Sequence, residues 1–281
     1  MNYRHLYHAG NFADVFKHAA LALCLEHLRL KEAPFRVVDT HAGVGRYDLA
    51  SIEAGKTLEW ADGVGRLFGV DAAPLPVEIA PLLAPYLDIV RKLNPDGRLT
   101  LYPGSPLIAR ALLREADRLV ANELHPEDGA ALAALFKSDA RVKIMRLDGW
   151  TALKALLPPK ERRGLVLVDP PFEAPDEFER LRSALADIQK RFATGMALFW
   201  HPVKDENGVA AFREAAVEIA PPEKFLQAEL FIRNPAVYGP LAGCGLLILN
   251  PPWTLREKLI RLGPFLAERL MQGEGAAFRM N

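Results

Sequence analysis

The segment Asp169-Pro170-Pro171-Phe172 follows the apolar run Gly164-Leu-Val-Leu-Val168 and joins two acceptors to one aromatic face. The Asp169 carboxylate and the Pro170 carbonyl accept hydrogen bonds. The prolines fix the backbone and bring no N–H to compete with those acceptors. Phe172 offers a face on which an extruded base can stack. This set suits an exocyclic amine, a poor nucleophile because its lone pair is delocalised into the ring. Acceptors that hold its hydrogens draw density back onto nitrogen. A second copy, Asn250-Pro-Pro-Trp253, follows Gly245-Leu-Leu-Ile-Leu249. Short motifs recur by chance, so placement decides between the copies. The Asp169 copy lies after the loops described next and leaves strands to follow it, so Asn250 is read as a strand-end turn.

Three features precede it, each after a strand. Asp39-Thr-His-Ala-Gly43-Val-Gly45 places glycines where a backbone must approach a ligand closely. It resembles the first motif of methyltransferases, with His41 where the first glycine is expected. Glu123, ending Leu119-Val-Ala-Asn-Glu, can accept both hydroxyls of a ribose at a strand end. Asp148, in Leu147-Asp-Gly149, suits an adenine amine. The plainer readings are a structural turn, a solvated acid and a cap for the helix starting at Trp150. The order of the three, each at the carboxyl end of a strand, favours a nucleotide-like ligand. Asp-Pro-Pro-Phe itself resembles the Asp/Asn-Pro-Pro-Tyr/Phe motif of amino methyltransferases, and its leading Asp favours adenine over glutamine.

These residues need a scaffold of alternating strands and helices. Strands are expected at Phe35–Asp39, Arg118–Glu123, Val142–Asp148, Arg163–Asp169, Met196–Trp200, Ala228–Ile232 and Leu246–Asn250. Helices are expected at about Phe12–Lys31, capped by Asn11, and at Ala130–Phe136, Gly149–Leu157, Pro175–Arg191 and Val209–Ile219. That rhythm gives an α/β, Rossmann-like, mostly parallel sheet with helices on both faces. The closely spaced last strands allow one antiparallel edge strand. Roughly 80 residues separate Gly45 from Glu123, where one crossover takes about 30. A small helical insertion at 48–102, with helices near Leu58–Phe68 and Val77–Leu93, accounts for the excess. Helix Ser105–Ala116 then completes the crossover. The whole chain, 1–281, reads as one domain with an N-terminal arm, 1–11.

Acidic and basic residues number 35 each in 281 residues, so any basic surface must come from clustering. Candidate clusters are Arg91-Lys92 with Arg98, and Lys160-Glu-Arg-Arg163. Zero net charge counts against nucleic acid, whose binders usually carry a basic excess, without excluding it. Cys24 and Cys244 form neither a metal-ligand spacing nor a disulfide framework. No apolar run suggests a leader or a membrane span. The expectation is a cytoplasmic protein.

The whole chain resembles the bacterial 23S ribosomal RNA (adenine-N6)-methyltransferases named for adenine 2030. The matching stretches include Tyr3-Arg-His5, His8-Ala-Gly-Asn11, Lys17-His18, Asp39-Thr-His-Ala-Gly43, Tyr102-Pro-Gly-Ser-Pro-Leu-Ile-Ala-Arg110, Glu123-Leu-His-Pro126, Asp148-Gly149, Asp169-Pro-Pro171, Arg191-Phe-Ala-Thr-Gly195 and Asn250-Pro-Pro-Trp253. The resemblance implies a class I fold using S-adenosyl-L-methionine, releasing S-adenosyl-L-homocysteine and needing no metal. It implies cofactor contacts from His18, His41, Ser105, Glu123, Asp148 and Gly149, and Asp169 as the catalytic acceptor. Tyr3, Lys17, Pro170 and Phe172 would meet the substrate, with the arm closing over the pocket. The partner would be 23S ribosomal RNA, protein-free or early in assembly, met by a monomer. Phe172 stands where Tyr is common; it keeps the stacking face and loses the hydroxyl. On their own, Lys17 reads as a solvated base or a phosphate contact, His18 as structural, Ser105 as a helix cap and Tyr3 as packing. The rival readings are a methyltransferase of DNA or protein, an RNA-binding module without cofactor, and a dinucleotide oxidoreductase, which has no use for Asp-Pro-Pro-Phe.

Overall fold

The computed structural model describes residues 4–236 and 241–281. Tyr3 therefore lies outside the described residues. The chain opens with a 3-10 turn at His5–Tyr7 and then α1 (Phe12–Arg29). Asn11 caps α1 by accepting from the amides of Ala13 and Asp14, both at 3.0 Å. Every residue from Phe12 to Leu25 is buried, so α1 is a central helix rather than a surface one.

An eight-stranded sheet carries the fold. Its parallel part comprises β1 (Arg36–Asp39), β4 (Arg118–Asn122), β5 (Val142–Met145), β6 (Gly164–Val168) and β7 (Met196–Pro202). β8 (Phe225–Phe231), β9 (Gly243–Leu249) and β10 (Ala277–Met280) complete it in the order β10-β8-β9-β7-β6-β1-β4-β5. The antiparallel expectation needs correction: β9 runs antiparallel between β7 and β8, inside the sheet, and β10 adds a second antiparallel strand at the edge. Every residue of β9 is buried, which suits an interior strand covered on both faces.

The crossover helices are α5 (Ser105–Ala111), α6 (Pro126–Leu135), α7 (Gly149–Leu156), α8 (Glu177–Phe192) and α9 (Glu206–Ile219); α10 (Leu255–Arg269), unforeseen in the sequence, precedes β10. The core forms two clusters. One gathers Phe16, Leu21, Leu165 and Leu246; the other gathers Leu181, Leu185, Phe199 and Phe212.

The interval 48–102 holds α2 (Ile52–Thr57), α3 (Glu59–Asp62), a 3-10 turn at Val64–Arg66, and α4 (Ala80–Leu93). At its neck β2 (Arg46–Asp48) pairs antiparallel with β3 (Leu101–Pro103). The continuous helix expected over Leu58–Phe68 is broken at Gly63. There the arm packs so closely that an added Cβ would lie 2.0 Å from the Gly10 carbonyl oxygen.

Candidate active site

The sheet changes winding direction around β1, which sits between β4 and β6. Loops leaving the carboxyl ends of these strands meet there, as doubly wound folds place ligands. Asp39 ends β1, Glu123 follows β4, Asp148 precedes α7 and Asp169 follows β6. All four expected acids are thus brought to one edge of the sheet.

Asn122 ties the loops together and escaped the sequence reading. Its side-chain amide donates to the carbonyls of Thr40 (3.0 Å) and Leu147 (2.8 Å), and its oxygen accepts from the Leu147 amide at 2.9 Å. One buried side chain therefore sets the spacing of the loops after β1, β4 and β5. Glu123 adds a second tie, accepting from the amides of Gly43 (2.8 Å) and His125 (2.7 Å). Burial raises its pKa.

Gly43 and Gly45 have φ of +60° and +78°, the left-handed conformation that glycine adopts without strain. At Gly149 the reason is space: a Cβ would lie 2.4 Å from His41 Nε2. His41 is edge-on to Trp150, accepts or donates at Thr40 Oγ1 (2.8 Å), and is lowered by burial to about 4. It is neutral at neutral pH. Asp148 caps α7, accepting from the Thr151 amide at 2.9 Å.

Ser105 is not the cap expected; Gly104 occupies that position. The Ser105 hydroxyl instead donates to Asp39 Oδ2 at 2.7 Å. Asp39 is 1% exposed, its Oδ1 has no partner, and burial raises its pKa to about 7.

Lys17 is not solvated: its side chain is 5% exposed, its ammonium 2.5 Å from Asp169 Oδ2 and 2.8 Å from Asp14 Oδ1. Asp14 also accepts from His5 Nε2 and the Gly10 amide, both at 2.9 Å. Burial opposes the ionised forms of both residues. Against it, the surrounding charges hold Asp14 well below the carboxylate range and Lys17 above its usual value. Lys17 and Asp14 lie one turn apart on α1, so a single helix face links the arm to Asp169.

His18, the next residue, sits in the wall beside them. Its Nδ1 meets the Tyr102 hydroxyl at 2.8 Å, its ring stacks on Tyr102, and burial lowers its pKa to about 3. The roles of Asp14 and Tyr102 were not legible as motifs.

Phe172 adopts φ +51°, which is strained for a bulky side chain. Edge-on contacts with Phe178 (5.2 Å) and Trp200 (5.7 Å) hold it. Such outliers concentrate at functional sites. Pro170 is buried beside it.

Asn250 belongs to the opposite edge. It follows antiparallel β9, whose Leu249 pairs with Ala197 near the start of β7, whereas Asp169 lies beyond Val168, paired with Phe199. At about 3.3 Å per residue, the two motifs are separated by more than 10 Å along the strands. Asn250 donates to the carbonyls of Ala193 (2.9 Å) and Gly195 (2.7 Å), closing the turn after α8. Lys160–Arg163 likewise leads into the amino end of β6, away from Asp169, and Arg163 donates to the carbonyls of Ala33 and Leu28. Arg91 pairs with Asp88 and lies 5.9 Å over Phe68.

The chain is 42% identical over 278 residues to ribosomal RNA large subunit methyltransferase J of Haemophilus influenzae, covering 98% of this chain and 96% of that one. Its identity to the protein of the same name from Escherichia coli is 40% over 271 residues, 96% and 94% of the two chains. The crystal structure of a Legionella pneumophila protein, 33% identical, superposes with a TM-score of 0.87 and covers 98% of each chain. A family described as ribosomal RNA large subunit methyltransferase D, RlmJ, matches residues 32–280. Sequence identity and fold agree along nearly the full length, and the chain belongs to this family of ribosomal RNA large subunit methyltransferases.

Proposed function

We propose that this chain methylates the exocyclic N6 of one adenine in 23S ribosomal RNA, adenine 2030 by resemblance, with S-adenosylmethionine as donor. The observation that carries the reading is the Asp169 carboxylate, set beside the cofactor loop and gripped on Oδ2 by Lys17 at 2.5 Å. Membership of the methyltransferase family supports the donor. The residues present also fit that group: Asp39 Oδ1 is a buried acceptor without a partner, matched to an ammonium, and the Glu123 carboxylate stands where ribose hydroxyls are bound in related sheets. Asp148, Gly149, His41 and Ser105 complete the cofactor wall in this reading, with His18 behind it.

When bound, S-adenosylmethionine supplies an electrophilic methyl on a sulfonium. The protein's part is orientation. Lys17 fixes Asp169 through Oδ2 and leaves Oδ1 to accept from the amine, while the Pro170 carbonyl takes the second hydrogen. Phe172, buttressed by Phe178 and Trp200, supplies the face against which the flipped base lies. Holding both reactants in line converts a bimolecular step into an effectively unimolecular one. In this reading the insertion at 48–102 and the arm from Arg4 onward complete the substrate side together with Lys17 of α1, and Tyr3 would meet the base. In this reading the protein works as a cytoplasmic monomer on free or early-assembly RNA. No described helix is long and apolar enough to cross a membrane.

Tritiated methyl transfer to protein-free 23S ribosomal RNA, followed by nucleoside analysis, tests the reaction. N6-methyladenosine in a single hairpin is expected. Asp169→Ala is expected to abolish transfer while cofactor binding persists. Firm cofactor binding without transfer to RNA would overturn the RNA assignment and redirect the search to DNA or protein.

A further inference from the structure

Net charge is zero, yet two exposed lysines beside the N-terminal arm, Lys56 and Lys204, form no ion pair among the described residues. They reach the arm from different elements. Lys56, in α2, holds its ammonium 5.8 Å from the centre of the Tyr7 ring, and the neighbouring Thr57 hydroxyl donates to the Tyr7 carbonyl at 2.5 Å. Lys204 stands two residues beyond β7, at the same sheet edge as Asp169, since Val168 pairs with Phe199. Its charge reaches His8: the Glu59 hydrogen bond raises the His8 pKa, and burial and Lys204 oppose it. The adjacent acid Asp205 is already engaged, capping α9 through the Gly208 amide at 3.0 Å. The same arm connects to the acid through His5, which meets Asp14, and Lys17, which joins Asp14 to Asp169.

A base reaches Asp169 only if its strand passes beside the site, and the strand carries a phosphate on each side of the base. We propose that Lys56 and Lys204 are a phosphate clamp: they take the backbone phosphates flanking the extruded adenine and hold the RNA strand across the arm. The clamp rests on the RNA methyltransferase reading. It also explains how a chain of zero net charge gains local attraction for RNA, because phosphate contacts are a matter of position rather than total charge.

The test compares Lys56→Gln/Lys204→Gln with a charge-matched control, Lys137→Gln/Lys190→Gln, both control sites preceding the amino ends of strands, at the opposite sheet edge. Initial rates of methyl transfer to a 23S ribosomal RNA fragment are measured at 50 and 200 mM salt. Two single-strand phosphate contacts carry a combined logarithmic slope of about −1.4, so the excess of the variant's KM over the unaltered chain shrinks about sevenfold across that range. KM is expected to change more than kcat, Lys56→Arg/Lys204→Arg to restore it, and the control pair to match the unaltered chain. An unchanged KM and salt slope, or an equal change in the control pair, overturns the clamp alone. Absence of transfer by the unaltered chain overturns the function itself and the clamp with it.

Discussion

Lys17→Met is the sharpest perturbation of the site. It keeps the length and apolar stem of the side chain and removes the ammonium that lies between Asp14 and Asp169. The side chains of Lys17, Asp14 and Asp169 are 5%, 1% and 16% exposed, so little solvent screens the loss. Removing one partner from a buried ion pair costs about 3–5 kcal/mol, because the remaining charge is left uncompensated. In a chain of this size each kcal/mol moves Tm by about 2–4 °C, giving a fall of roughly 6–20 °C by calorimetry. The deficit should be constant between about pH 5 and 9. Lys17 has a raised pKa in the folded state, so its contribution is complete below its unfolded pKa of about 10.4 and is lost only above it. Asp14 has a depressed pKa, so its contribution is complete above about 3.9 and is lost as pH falls. Adding Asp14→Asn removes the orphaned charge while an oxygen still accepts from the Gly10 amide. The double variant should therefore recover half or more of the lost Tm. Methyl transfer should remain depressed on the order of 10²-fold in both, since Asp169 has lost its orientation. A Lys17→Met protein with Tm within about 2 °C of the unaltered chain would refute the buried-pair argument.

Three further expectations follow from other contacts. Asp39→Asn should raise the Tm of the cofactor-free protein at pH 8, where the folded carboxyl is ionised without enough partners. The gain should vanish by about pH 4: the raised folded pKa, about 7, means the native residue costs nothing once protonated. A Tm gain independent of pH would contradict it. Gly149→Ala should weaken cofactor binding, read by isothermal titration, on the order of tenfold or more, because the new methyl displaces His41; unaltered affinity would show that the Gly149–His41 contact is not part of the binding wall. Asn250→Ala loses two hydrogen bonds and places alanine at φ +47°, so urea denaturation should show a loss of about 2 kcal/mol with kcat little changed. A collapse of kcat with intact stability would instead mark Asn250 as catalytic.

The sequence alone determined the alternation that makes a mostly parallel sheet, the strand preceding each of Asp39, Glu123, Asp148 and Asp169, and the helix around Lys17 and His18. Those features are local: apolar runs, turn residues and caps report the backbone on which they sit. The stretches resembling known methyltransferases also pointed to the family and so to its chemistry. Tertiary structure decided the rest. Whether Asp169-Pro-Pro-Phe or Asn250-Pro-Pro-Trp shares an edge with the Gly43–Gly45 loop depends on strand direction, and β9 was recognisable as a strand without its direction being so. Asn122 joins three loops, and Asp39 holds Ser105 across 66 residues, pairings that neither spacing nor composition encodes. Lys17 looked like a solvated base because lysine usually is one. Only the convergence of α1 with the end of β6 buries it against Asp169, where a charge stays ionised because two carboxylates meet it.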